Sequence, residues 1–399
     1  MREDWKLKKL GDICFIRRGS SPRPIKNYLI QEGGMPWVKI SDATEANGKF
    51  INSTAEQIKM EGVSKSVIVN PGDLILSNSG TAGLPMFMGI TACIHDGWQT
   101  FRDLNGIDKE YLYYFLLFIR NILLHNAYDS VMKNLTLDML RDYEIYLPPM
   151  DEQKRIVDVL HTIDNKIENN NKINRNLSEQ AQALYKSWFV DLNPFEGERP
   201  ADWQDGTVDD LASEVVCGKT PSTKKEEYYG NDIPFVTIPD MHGCVYTIHT
   251  ERSLSELGAE SQSKKTLPKN SICVSCIGTA GLVTLLPVPS QTNQQINSII
   301  PKDNYSPYYI YLLMSTMRET INKLGQAGST IVNLNKTQFG KIEVLIPSIK
   351  TMSDFDEIVE PVFSAILSNQ IENEKLANLR DSLLPKLMSG EIDVSDLEI

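Results

Sequence analysis

The sequence lacks a long apolar run, which excludes the simplest membrane reading. Its longest, YLYYFLLFIRNILL at 111–124, contains Arg120 and falls short of the roughly 20 residues a spanning helix needs; it reads as a buried helix. The opening MREDWKLKKLGDI is charged throughout and does not have the basic-then-apolar form of a signal peptide. With only six cysteines, the expectation is a cytoplasmic protein with reduced thiols and no membrane role. Chemistry is scarce as well. The five histidines (95, 125, 161, 242, 249) form no repeated pair, and Cys273-Val-Ser-Cys276 has no second pair at ligand spacing, so no metal site is expected. SGTAG at 79–83 lacks the Lys-Ser/Thr of a phosphate loop and reads as a tight turn after a strand. Glu152-Gln-Lys154 is only three residues of a nuclease signature, and Asn193-Pro-Phe195 is a fragment of a methyltransferase tetrapeptide. The chain is expected to be non-catalytic and to hold no cofactor.

Positive charge is also in deficit, with 40 Lys and Arg against 52 Asp and Glu and a net charge of −12. The distribution removes most of the objection to a nucleic-acid partner. Residues 1–150 carry 17 of each sign and residues 151–190 carry 6 of each, whereas 351–399 carry 3 basic and 11 acidic residues. Basic clusters remain, FIRRGSSPRPIK at 15–26 and CGKTPSTKK at 217–225. A second subunit would supply much of any phosphate neutralisation.

What is present is a repeat. GTAGL occurs at 80–84 and again at 278–282. The same offset of 198 lays Trp5 on Trp203, Pro36-Trp37-Val38 on Pro234-Phe235-Val236, and Asp42 on Asp240. YEIYLP at 143–148 matches IEVLIP at 342–347 at an offset of 199. The unit is far longer than a solenoid repeat and reads as a duplicated domain. Each copy runs from short alternating apolar segments, read as strands, to an aromatic-rich helical stretch, a last strand, a proline and a long helix.

The two long helices carry a seam spaced alternately by 4 and 3. The first has Ile156, Leu160, Ile163, Ile167, Asn170, Asn174, Leu177, Ala181, Leu184 and Trp188; the second has Phe355, Val359, Val362, Ile366, Asn369, Asn373, Leu376, Arg380, Leu383 and Leu387. Such heptads predict a coiled coil, and polar Asn layers at matching depth fix its register. If the repeats are related by a pseudo-twofold axis, the helices pair antiparallel, with Asn170 meeting Asn373 and Asn174 meeting Asn369. The expected fold is α+β: a β-rich head at 1–150, a spacer helix at 151–190, a second head at 191–350, and a second helix with an acidic tail at 351–399. The picture is two heads held apart by a stiff rod, the span 156–188 being about 48 Å at 1.5 Å per residue.

WKLKKLGDICFIRRGSSP and WQDGTVDDLASEVVCGKTPS, PWVKISD and PFVTIPD, GDLILSNSGTAG, AGSTIVNLNKTQFGKIEVLIPS, and above all LPPMDEQKRIVDVLHTIDNKIE resemble the specificity subunits of type I restriction-modification systems. The resemblance covers essentially the whole chain. It implies two target-recognition domains, each reading one half of a split, asymmetric site in double-stranded DNA. It also implies two methyltransferase (M) subunits on the helices, carrying S-adenosylmethionine and methylating adenine at N6. Two restriction/translocase (R) subunits using ATP and Mg would complete a defence against foreign DNA, in which this chain is address label and scaffold. The acidic tail and the outer face of the rod are then expected partner surfaces. The second junction, IPSIKTMSDFDEIVEPVF, departs from the pattern. It lacks Gln-x-x-Ile and has Pro361, which predicts a late start or a kink in the second helix. The alternative is a two-headed protein-interaction scaffold with no nucleic-acid role, or more distantly a lectin-like module.

Polar loop residues are the candidate DNA contacts, since Arg and Lys suit guanine, Asn and Gln suit adenine, and Ser and Thr are less selective. In the first head they are Arg17, Arg18, Ser20, Ser21, Arg23, Ser77, Asn78, Ser79, Thr81, Lys133, Asn134 and Thr136. In the second they are Lys219, Thr220, Ser222, Lys224, Lys225, Ser275, Thr279, Gln291, Asn293, Gln294, Asn297, Ser329, Thr330 and Asn333.

Overall fold

The structure is a computed structural model that describes residues 4–46, 48–128, 135–326 and 332–395. Contacts divide the chain into two compact units, 1–168 with 376–399, and 169–375. Each unit holds one head together with parts of both long helices.

In the first unit a five-stranded sheet has the order Phe15–Arg18, Trp98–Arg102, Leu74–Ser77, Pro85–Met88, Phe50–Ile51. Its three central strands are buried at every position but Arg102, polar Ser77, Gln99 and Thr100 included, because both faces are covered. Leu74 and Leu76 face one core with Phe87, Tyr111 and Leu112, while Ile75 faces another with Met86, Met88 and Trp98. The first core lies under the helix Lys109–Phe118; the second also takes Val38, Val67, Val69 and Ile94 from a second sheet, ordered Leu29–Ile30, Glu56–Ile58, Met35–Val38, Ala92–Ile94, Val67–Val69.

The second unit repeats this plan. One sheet runs Ala212–Cys217, Ile296–Pro301, Ile272–Ser275, Val283–Leu285, and the other Tyr229–Gly230, Ser253–Leu254, Ile233–Val236, Gln291–Thr292. Even the outer pairings recur: Phe50–Ile51 runs parallel to Pro85–Met88, as Tyr246 bridges Leu285 in parallel. The aromatic stretch is two helices in each head, Lys109–Phe118 followed by Arg120–Tyr128, and Pro307–Thr316 followed by Arg318–Gly325.

A two-stranded ladder, Lys6–Lys9 with Glu144–Leu147 or Gln204–Thr207 with Glu343–Ile346, then delivers the chain to a long helix. The repeated tryptophans sit buried at these junctions, Trp5 Nε1 donating to Glu152 (3.1 Å) and Trp203 Nε1 to Thr351 (3.3 Å). Gln153 is fully buried; it accepts from the Asp108 amide and donates to the Gly106 and Pro148 carbonyls. In the second copy Met352 stands in its place within the core. An apolar side chain thus replaces the polar clamp where the second junction departs from the pattern.

The long helices are Met150–Phe189 and Ile349–Met388, 40 residues each. The expected late start of the second is not found: it begins twelve residues before Pro361 and stays helical through Pro361 and Pro385. They pair antiparallel. In the second unit Asn170 Nδ2 donates to Asn373 Oδ1 (2.9 Å) and Asn369 Nδ2 to Asn174 Oδ1 (2.9 Å). Asn373 also donates to Asn171, and Asn170 to Glu372. In the first unit Arg380 pairs with Asp164 at 3.0 Å, and Leu384 and Leu387 share a core with Ile156 and Leu160. The buried face is wider than the a/d seam, taking in Val157, Tyr185, Phe189, Phe363, Leu384 and Met388, because each helix also packs against a head. The acidic tail is not wholly exposed: Val394 is buried in the first core and Ile392 packs against it.

Candidate nucleic-acid interface

In each head the strand ends and turns converge on one residue. Asn78 donates its amide to the Gly97 carbonyl (2.8 Å) and its side chain to the Asp96 carbonyl (3.0 Å), and its own carbonyl accepts from Leu135. Cys276 takes the same place in the second head, donating its amide to the Gln295 carbonyl and accepting from Leu334. This accounts for half of the CxxC pair; Cys273 faces the core between the sheets. Burial pushes both thiols up to about 12, so neither is a thiolate at neutral pH. Among the described residues no three His, Cys, Asp or Glu side chains group to hold a metal ion.

The GTAG turn is built identically twice. Ser77 Oγ donates to the Thr81 carbonyl and accepts from the Leu84 amide; Ser275 does the same with Thr279 and Leu282. Gly80, Gly83, Gly278 and Gly281 all have φ between 64° and 83°, the left-handed region that glycine enters without strain.

Six of the candidate contacts are therefore interior and cannot present themselves to a ligand in this state. Ser77, Asn78, Ser275, Gln291, Asn293 and Asn297 are all under 9% exposed. Gln291 bonds Ala259, Thr266 and Gln262, while Asn293 bonds Gln295. Asn297 Nδ2 donates to the Leu334 carbonyl. Polarity in a turn-rich segment suggested exposure; the buried loop backbone needed the hydrogen bonds instead. Gln99, which sequence reading passed over, makes the equivalent bond to Leu135, and the repeat offset that lays it on Asn297 carries the signal.

The remaining candidates among the described residues are exposed or half-buried. Arg17 and Arg18 end the strand Phe15–Arg18, opposite Thr100 and Gln99. Arg18 Nε donates to the Asp96 carbonyl (2.6 Å), and the Arg18 and Arg23 guanidiniums lie 3.9 and 3.8 Å from its carboxylate. Ser21 donates to that carboxylate (2.8 Å) and Ser20 to the Lys65 carbonyl. Partial burial would raise the Asp96 pKa, but the Ser21 hydroxyl, a backbone hydrogen bond, His95 and Arg18 outweigh it and hold the group below the ordinary value. Burial depresses the neighbouring His95, against the Asp96 charge. His95 Nδ1 accepts from the Gly97 amide (2.7 Å), which places the neutral ring's proton on Nε2.

Gln294 replaces Asp96 in the second head, and Thr220 donates to it at 2.8 Å. Lys219, Ser222, Lys224, Lys225, Thr279, Gln294 and Asn333 are exposed, and Ser79, Thr81 and Thr220 half-buried. Thr136 is exposed but caps the helix Leu137–Arg141 through Met139. Lys133, Asn134, Ser329 and Thr330 lie outside the described residues. Each head thus offers a rim of polar and basic groups on a backbone frame common to both, with different side chains on it.

A duplicated α+β head whose loop side chains differ between the two copies, with paired long helices following the strand ladders, defines a class, and likeness to known proteins identifies it. Residues 2–179 and 200–380 both match the type I restriction modification DNA specificity domain, and the chain belongs to that family. It is 32% identical to the type I restriction enzyme HindI specificity subunit of Haemophilus influenzae, over 98% of this chain and all of that one. It is 27% identical to the MjaIX specificity subunit of Methanocaldococcus jannaschii, covering 99% and 95%. The S subunit of a type I restriction-modification system from M. genitalium shares the fold, with a TM-score of 0.56 at 16% identity and 96% of each chain covered.

Proposed function

We propose that this chain is the non-catalytic sequence-reading subunit of a type I restriction-modification complex in the cytoplasm. Each head reads one half of a bipartite, asymmetric site in double-stranded DNA. The paired helices set the spacing and dock two methyltransferase subunits, which carry S-adenosylmethionine. Two restriction subunits using ATP and Mg join them. The boundaries of the reading heads, near 150 and 191–350, belong to this proposal, as do the surface candidates as DNA contacts. The observation that carries the reading is the repeated loop frame: one backbone arrangement supports Arg18, Arg23 and Asp96 in one head and Lys219, Thr220 and Gln294 in the other. A frame that is kept while its exposed polar groups change suits two readers of different half-sites.

The test is selection from random-sequence duplexes by the chain assembled with its partner methyltransferase, followed by sequencing of what is retained. An enriched motif in two parts separated by a fixed gap is expected. No enrichment favours a protein-interaction scaffold. Methyl transfer by the chain alone contradicts its assignment as non-catalytic.

A further inference from the structure

Two tyrosines outside the candidate set occupy the same place in the two heads. Tyr28 precedes the strand Leu29–Ile30 and its carbonyl accepts from the Lys59 amide; Tyr228 precedes Tyr229–Gly230 and its carbonyl accepts from Ser255. A helical glycine lies against each. A Cβ on Gly62 would stand 2.8 Å from Tyr28 Cδ1, and one on Gly258 would stand 2.0 Å from the Tyr228 carbonyl oxygen. Both positions exclude any side chain that would displace the tyrosine.

Each tyrosine is met by a lysine. Lys65 Nζ donates to the Tyr28 hydroxyl (2.6 Å) and Lys225 Nζ to the Tyr228 hydroxyl (2.9 Å). The ammonium groups sit at the hydroxyl rim, 4.9 and 4.6 Å from the ring centroids. The lysines are not counterparts. Lys65 follows its tyrosine by 37 residues, while Lys225 precedes its own by 3. In the register that matches Gly62 with Gly258, Lys65 falls on Ser261; in the register that matches the tyrosines, Lys225 falls on Ile25. In that second register Lys65 falls on Lys265, which donates to the Cys217 carbonyl instead, so the two pairs draw their lysines from different places in the fold.

The chemistry of the pair points to an anion. A hydroxyl that accepts from an ammonium keeps its own proton to donate, and among the described residues neither hydroxyl has a protein acceptor for it. The ammonium has two further N–H groups. One phosphate oxygen, or two on the same phosphate, can take both donors. Each pair also borders the rim: Lys65 through its carbonyl to Ser20, and Lys225 through its amide to Ser222.

We propose that Lys65 with Tyr28, and Lys225 with Tyr228, are matched phosphate clamps, one per head, that fix each head on the DNA backbone without reading sequence. The assignment rests on the DNA-reading function proposed above. The test measures binding of the full chain with its methyltransferase partner to a duplex carrying the selected site and to a scrambled duplex, across salt. Lys65→Met and Lys225→Met each reduce the slope of log affinity against log salt by about 0.9. From 50 to 200 mM the variant therefore loses about 3.5-fold less affinity than the parent. Tyr28→Phe and Tyr228→Phe weaken binding about two- to tenfold at every salt concentration. The preferred bases stay the same in all four, which also reports that the heads remain folded. An unchanged slope in both lysine variants, with a selective parent, overturns the clamps and leaves the reading function standing. A reduced slope in a parent that shows no sequence preference does the reverse. A shift in the preferred bases would make these residues base readers and overturn the clamp, and a parent that binds neither duplex removes both.

Discussion

Arg18 and Arg23 share one carboxylate, that of Asp96, but are held differently. Arg18 is oriented by a 2.6 Å bond to the Asp96 carbonyl, whereas Arg23, with its side chain 82% exposed, approaches only the carboxylate at 3.8 Å. A fixed guanidinium fork can discriminate bases, while a mobile charge mainly neutralises phosphate. Arg18→Ala is therefore expected to cost roughly 1–3 kcal/mol and relax one position of the first half-site. Arg23→Ala is expected to weaken binding to all sequences and lower the salt slope by about one. Binding selections repeated at several salt concentrations separate these outcomes, and two variants with the same profile would refute the distinction. The surface arginines and lysines were legible in the sequence as basic clusters. The interior roles of Ser77, Gln291 and Asn297 were not, because a polar side chain in a turn-rich segment looks the same whether it faces water or ties down a buried backbone.

The long helices were legible at the level of individual pairs: the seam put Asn170 on Asn373 and Asn174 on Asn369, and both bonds form. Replacing Asn170 and Asn373 together by Leu is expected to raise the melting temperature while loosening register, since buried polar layers trade stability for alignment. Cysteines at 170 and 373 are expected to crosslink on oxidation and cysteines at 170 and 369 to do so poorly; equal crosslinking would show that the asparagines do not set the register. A different property was invisible in the sequence. Asp356, on the second long helix, is pushed up to about 6 by burial; the hydrogen bond from Ser306 opposes this and Glu360 adds to it. A carboxyl whose folded pKa exceeds its unfolded value stabilises the fold when protonated. That contribution is full below the unfolded value, near 3.8, and is lost as pH rises through about 6. Asp356→Asn, which can still accept from Ser306, is expected to stabilise the chain at pH 7 by about 1–2 kcal/mol after allowance for partial solvation. It is also expected to flatten the decline in stability between pH 4 and 6, as denaturant titrations at each pH would record.

For the whole molecule, the first compact unit combines residues 1–168 with 376–399 and the second is the continuous stretch 169–375, so each contains parts of both long helices. A change in spacing must therefore be made in both helices. Pairing of Asn170 with Asn373 and Asn174 with Asn369 places the position after Asn171 opposite the position after Ile371. Seven residues inserted at both points preserve the heptad seam and add about 10 Å at 1.5 Å per residue, close to three base pairs at 3.4 Å per step along each strand. Under the proposed function, the gap between the half-sites is expected to lengthen by about three base pairs with both half-site sequences unchanged. An unchanged gap would assign the spacing to the partner subunits. Four residues in the first helix alone would shift the asparagines out of register and are expected to impair folding.

The sequence by itself determined the duplication, the order of elements within each copy, the glycine turn and the antiparallel asparagine pairs. These depend on spacing along one chain, and helical and strand periods convert spacing directly into position. Only the tertiary structure decided which polar loop residues are interior, that the second helix starts ahead of Pro361, and that Val394 of the acidic tail belongs to the first core. It also decided that lysines from unrelated positions meet equivalent tyrosines. The physical reason is the same in each case. Burial and partnership are set by residues distant in sequence, whose approach no local pattern encodes.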